Sequence, residues 1–169
     1  RRLRLLQGEA WFETASDAGR RLSVEAAGAT VSAADAAAFG VRLVGGHGRL
    51  SVARQAVALS LAGQSRQFGA DKTALFDRTG IGAVSDLDAN DWAWRDGQLV
   101  FINRPLAEVL AGLDRWTGLH TLIRGRDLAA RPVTLITRTR DAAAGLEQLA
   151  HAIPIRIEHL PGLTIVREM

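Results

Sequence analysis

Residues 1 to about 90 never sustain an apolar pattern long enough for a helix. Instead, short runs alternate apolar and polar residues at period 2, the repeat of a half-buried strand. They include Ala10-Trp11-Phe12, Leu22-Ser23-Val24, Thr30-Val31, Phe39-Gly40-Val41-Arg42-Leu43, Leu50-Ser51-Val52 and Ala56-Val57-Ala58-Leu59-Ser60-Leu61. Between them stand Gly8, Gly19, Gly28, Gly45-Gly46, Gly48, Gly63 and Gly69, the residue type that tolerates tight reversals. Many short strands with glycine turns at a spacing of about ten residues argue for a sandwich, a barrel or a coiled β-solenoid. Ala33 to Ala38 has helix propensity, and at most a short turn is expected there.

The period changes after the connector Asp71 to Asp91, in which Leu75-Phe76-Asp77 and Ala83-Val84 can add strands. Leu99 to Ile102 forms an apolar run after an Arg95-Asp96-Gly97 turn. Asn103 is placed to cap a helix with Pro105 in its first turn. Leu106, Val109, Leu110, Leu113 and Trp116 share one helical face, and Gly118 ends it. A strand at Leu119 to Ile123, a brief turn at Leu128 to Arg131 and a strand from Pro132 to Thr137 follow. Thr139 or Asp141 can cap a second helix, Asp141 to Ala152, which Pro154 stops. Ile155-Arg156-Ile157 and Leu163-Thr164-Ile165-Val166 read as a hairpin over Pro161-Gly162. The fold class is therefore α+β: an all-β region, 1–90, then a small β-α-β-β-α-β-β domain, 91–169, with two βαβ-like units sharing one sheet.

Composition narrows the function. The chain has 169 residues, 47% hydrophobic and 23% charged, enough for one large or two small cores and neither disordered nor membrane-embedded by composition. Its longest apolar runs fall short of the ~20 residues a spanning helix needs. The absence of a signal-peptide pattern at Arg1 leads us to expect a soluble portion of a longer protein. Cysteine is absent, which removes disulfides and thiolate metal sites. The net charge is +3, with arginines interspersed among acids, so a nucleic-acid partner is not expected.

No pattern invites catalysis, a metal or a cofactor. Asp86, Asp88 and Asn90 have the first ligand spacings of a calcium loop, but Asp91 and Gly97 occupy the places where that loop needs Gly and Glu. His47, His120, His151 and His159 lack metal-ligand spacing. There is no Gly-x-Ser-x-Gly, and neither Gly80-x-Gly82 nor Gly45-Gly46-x-Gly48 precedes a helix pattern. Trp11 and Trp116 are read as core residues. Trp92 and Trp94 alternate, so they share a face that packs between the two halves or anchors a partner. The remaining route to function is backbone pairing at a strand edge. The Val52 to Leu61 hairpin arms, with Val52, Val57, Leu59 and Leu61, are the first candidate edge, and Leu163 to Val166 the second.

A Trp, the strand Gly97-x-Leu99-x-Phe101, the run Pro105-Leu106-x-Glu108-Val109-Leu110 and the closing Leu113-x-Arg115-Trp116 resemble the periplasmic half of FecR-type anti-sigma factors. Gly8 with Ala10-Trp11-Phe12, Phe39-Gly40-Val41 and Leu61-Ala62-Gly63-Gln64 resemble elements of that family's β region, while Ala36 and Ala37 stand where it has Gly-Thr. The likeness extends over about 91–169 well and 5–65 loosely. It implies a C-terminal domain similar to the short N-terminal domain of secretins and TonB-dependent receptors. It also implies a non-enzymatic periplasmic module of a single-pass inner-membrane protein. Such a module binds the N-terminal signalling domain of a TonB-dependent outer-membrane transducer. It relays iron-siderophore availability to a sigma factor held by a cytoplasmic region outside this chain. An oligomerising envelope module of a secretin-like assembly is the alternative.

Overall fold

The structure, a computed structural model, describes residues 1–16, 21–34 and 36–169; the turn glycine Gly19, and Asp35 within the expected turn at Ala33 to Ala38, lie outside the described residues. The chain forms two compact units, Arg1–Leu87 and Asp88–Met169, and is α+β with strand predominating.

In the first unit the strands are β1 Arg2–Arg4, β2 Gly8–Glu13, β3 Leu22–Ala26, β4 Ala29–Ala33, β5 Ala38–Val44, β6 His47–Arg54, β7 Val57–Leu61, β8 Gln64–Phe68, β9 Lys72–Asp77 and β10 Gly80–Asp86. They form two five-stranded sheets, in the orders β1-β3-β4-β7-β8 and β10-β9-β6-β5-β2. One apolar core draws on both: Val24, Val31, Leu59 and Phe68 from the first sheet, Phe39, Val41, Leu50 and Phe76 from the second. The alternatives left by periodicity thus resolve to a sandwich, with successive hairpins β3–β4, β5–β6, β7–β8 and β9–β10 laid into alternate sheets.

Its turns repeat. Ala27-Gly28, Gly45-Gly46 and Ala62-Gly63 each close a two-residue hairpin with positive φ at both positions (49° and 83°, 57° and 82°, 48° and 80°). That is the turn whose twist suits antiparallel strands, and the second place falls to glycine each time. Three crossovers between sheets, β4 to β5, β6 to β7 and β8 to β9, instead carry a non-glycine residue at positive φ: Ala36, Gln55 and Asp71.

The second unit begins with a 3-10 helix, Ala89–Asp96, so Trp92 and Trp94 lie on helical turns and not on alternating positions of one face. Strand β11 Gln98–Pro105, helix α1 Leu106–Thr117, β12 Thr121–Arg124, helix α2 Arg126–Ala130, β13 Pro132–Arg138, helix α3 Ala142–Ala152, β14 Ile155–Leu160 and β15 Leu163–Glu168 follow. Leu106, Val109, Leu110 and Leu113 of α1 meet Leu146 and Leu149 of α3 over Leu135, Ile155 and Val166. The hairpin over Pro161-Gly162 forms as expected, with Gly162 at φ 74°.

Several expectations are corrected here. The βαβ-like units do not share one sheet: β11 pairs antiparallel with β13, while β15 lies between β12, parallel, and β14, antiparallel. Leu128 to Arg131 is not a bare turn; α2 lies across Arg126–Ala130 and buries Leu128. Asn103 is not a cap. It sits at φ 51° in a bulge of β11, and its N–H donates to Thr134 Oγ1 at 3.1 Å. The first N–H of α1, on Leu106, is satisfied by the Arg131 carbonyl at 2.8 Å. Asp141 holds the N-cap position of α3 without a side-chain cap bond.

Two glycines are packing devices that turn reasoning does not find. A Cβ on Gly48 would stand 2.1 Å from Phe76 Cζ, and one on Gly112 would stand 2.4 Å from Phe101 Cζ. Gly112 lies inside a helix, where glycine is unfavourable by ~1 kcal/mol relative to Ala, so the ring's close approach is what the position serves.

Candidate partner-binding surfaces

Open strand edges are where a second chain could pair, and topology decides which edges are open. Val52 lies on β6, the middle strand of its sheet, and Val57, Leu59 and Leu61 lie on β7, flanked by β4 and β8. The first three are fully buried and Leu61 nearly so. β6 and β7 belong to different sheets, so they are not arms of one hairpin. The expected docking edge is therefore core; its regular alternation marked an inward face rather than a free border. Leu163 to Val166 likewise lies on β15, the central strand of three. The borders of the sheets are β1, β8, β10 and β2 in the first unit, and β11, β13, β12 and β14 in the second.

At one end of the sandwich the chain passing from β1 to β2 borders a groove of about 660 Å³. Arg4, Leu6, the Ala27-Gly28 and Gly45-Gly46 turns and Arg78 line it. Leu6 is 76% exposed. A second concavity of about 530 Å³ lies by His47, Leu75 and the Gly80 to Ala83 bulge. The second brings His47, Asp77 and Thr79 to its wall.

The tryptophans differ from expectation. Trp11 is not inward: its neighbour Phe12 stacks on Phe39 at 5.2 Å on the core side, which turns Trp11 outward, opposite Gly40. Its Nε1 donates to Glu13 Oε1 at 3.0 Å. Trp116 ends the apolar stripe of α1 but remains 43% exposed. It continues an aromatic row, with Trp92 6.0 Å from Trp94 and Trp94 6.4 Å from Trp116, in tilted contacts. Trp92 is buried and Trp94 packs on the second core, so this row is internal to the second unit at two of its three members.

The carboxylates of the would-be calcium loop are engaged in protein contacts. Asp86 accepts from Lys72 Nζ at 2.6 Å, which lowers its pKa from the ordinary carboxylate value and raises that of Lys72. Asp88 caps the 3-10 helix by accepting from Asn90 N–H at 2.9 Å. Arg104 bridges Asp88 and Asp91 at 2.9 and 3.0 Å, tying that helix to β11. Among the described residues no cluster of His, Asp or Glu could hold a metal ion. His151 Nδ1 lies 2.7 Å from the Glu147 carbonyl, and His159 Nδ1 lies 3.3 Å from Thr164 Oγ1. His47 stands 3.6 Å from Asp77, whose carboxylate is held below its usual range by hydrogen bonds from Thr79. Among the described residues no helix is long and apolar enough to cross a membrane.

No protein-family profile matches the chain, and no curated protein matches it in sequence. Two crystal structures of a candidate anti-sigma factor from Parabacteroides distasonis ATCC 8503, at 1.65 and 2.50 Å resolution, are similar in fold. They superpose with TM-scores of 0.78 and 0.77 at 20% and 19% identity, over 96% of this chain and 78% of theirs. The likeness is one of fold and extends through both units.

Proposed function

We propose that this chain is the periplasmic signalling portion of a membrane-anchored anti-sigma regulator of the FecR type. In this reading it binds the signalling domain of a TonB-dependent outer-membrane transducer and passes siderophore availability to a sigma factor held by a cytoplasmic region. The observation that carries the reading is the fold likeness to a candidate anti-sigma factor over 96% of the chain. The family-like run from Trp92 to Trp116, which builds the first strand and helix of the second unit, supports it independently.

The physical work is recognition. Small sheets whose border strands include β1, β2, β8, β10 and β14 offer backbone donors and acceptors to another chain. Binding transmits a signal only if the partner prefers one state of the regulator over another, since a ligand shifts an equilibrium by its differential affinity. The test is titration of the transducer's isolated signalling domain into this chain by calorimetry. Saturable binding at or below the order of ten micromolar is expected, about 7 kcal/mol of association free energy. No heat and no co-elution at several times that concentration would refute the partner assignment. Concentration-dependent self-association without such binding would favour an oligomerising envelope module instead.

A further inference from the structure

The outer face of the three-stranded sheet in the second unit carries a row of like charge. Arg124 of β12 is in register with Arg167 of β15, and Arg167 is in register with Arg156 of β14. Residues in register across a sheet project from the same face. The inner face is identified by Ile123, Val166 and Ile157, which meet the core, so the three arginines point away from it. Like charges directly opposite each other across strands are unfavourable. Only Arg167 is compensated, by an ion pair with Glu158. Among the described residues no ion pair engages Arg124 or Arg156, and both are exposed.

The neighbouring rows of that face are largely apolar, the exception being Glu158 of β14, which stands beside Ile165 and is held by Arg167. Leu122 and Ile165 are in register, as are Leu160 and Leu163; Leu122 is 48% and Leu160 51% exposed. Among the described residues no strand pairs with the outer side of β14. Thus an open six-residue edge, a guanidinium row about 10 Å long across three strands and an adjoining apolar stripe meet on one surface. An extended acidic polypeptide uses all three, because guanidinium groups bind carboxylates in forked, charge-assisted pairs.

The geometry points to the β14 edge and the Arg156–Arg167–Arg124 row as the docking face for an acidic, extended segment of a partner protein. That segment places a carboxylate against Arg156 and, four positions along, an apolar side chain against Leu160. The partner's identity as a transducer signalling domain rests on the function proposed above; the charge and edge chemistry does not.

The test uses the whole chain and a fluorescein-labelled extended peptide carrying Glu and Leu four positions apart on one face. Anisotropy should show binding that weakens with added salt, and the peptide with Lys in place of Glu should not bind. R156E should weaken binding by at least about tenfold and R124E, on the far strand, by less; R138E, on the other sheet, should leave it unchanged. Meanwhile R156E should melt at the same or a higher temperature than the parent, because it relieves repulsion beside Arg167. Failure of the Glu peptide to bind, binding untouched by R156E, or lower stability together with lost binding would each overturn the proposal. So would capture by phosphatidylglycerol vesicles in place of the peptide. The transducer domain separates the two readings. Its binding unaltered by R156E would overturn this face and leave the proposed function standing. Peptide binding without transducer binding would do the reverse.

Discussion

The two units handle the same problem, a phenylalanine ring against backbone, in different architectures. In the first, Phe76 of β9 lies over Gly48 of β6 between paired strands; in the second, Phe101 of β11 lies over Gly112 of α1. The first core is closed by two sheets, so inward side chains of one sheet meet those of the other, from strands apart in sequence. The second is closed by helices whose apolar stripes are local. A sandwich therefore buries one face of each sheet against the other, whereas in the second unit helices cover the inner face of the three-stranded sheet and its outer face carries exposed side chains.

Five substitutions probe this contrast, and the tryptophans separate the readouts. Three of them, Trp92, Trp94 and Trp116, belong to the second unit and only Trp11 to the first. Phe39→Ala should be the most damaging. Phe39 is fully buried and stacked on Phe12, so about 3–5 kcal/mol of first-unit stability should be lost in urea melts followed by circular dichroism. The paired changes Gly48→Ala and Gly112→Ala come next. Each sets a methyl inside a ring's contact distance, and overpacking costs about 1–3 kcal/mol. Gly112→Ala should suffer less, since the gain in helix propensity offsets up to ~1 kcal/mol. Equal losses would show that the rings yield equally in both settings.

Arg104→Ala removes a partly buried cation from two carboxylates and should cost about 1–3 kcal/mol, read as earlier loss of the tryptophan fluorescence signal. The smallest effect should come from the exposed Lys72–Asp86 pair. The Asp86 pKa is depressed, so its contribution exists above its unfolded value and vanishes as pH falls through the folded one. The Lys72 pKa is raised, so its contribution exists below its unfolded value and vanishes as pH rises through the folded one. Lys72→Met should therefore lower stability slightly across neutral pH, where the pair is fully charged, and the deficit should shrink towards the acid and alkaline extremes.

Much of the local structure was legible in the residues. The glycines between alternating runs, among them Gly28, Gly45-Gly46 and Gly63, announced turns, and the spacing from Leu106 to Leu113 announced α1. Pro161-Gly162 announced the last turn. The failures share a cause. Val52, Val57, Leu59 and Leu61 read as a pairable border because alternation reports which face a side chain takes and nothing about which strand lies alongside. Trp116 read as core because a helical stripe predicts direction and stops short of saying how far the covering sheet extends. Asn103 read as a cap because its residue type serves caps and left-handed bulges equally well.

The sequence by itself determined the class of fold, the hairpin turns, the amphipathic helix and the place where period 2 yields to period 3.6, because these follow from steric limits and side-chain spacing over a few neighbours. Tertiary structure alone decided which strands are borders, which glycines lie beneath rings and that three arginines separated along the chain stand in one row. Those properties belong to register between distant strands, which the pairing of the whole sheet selects.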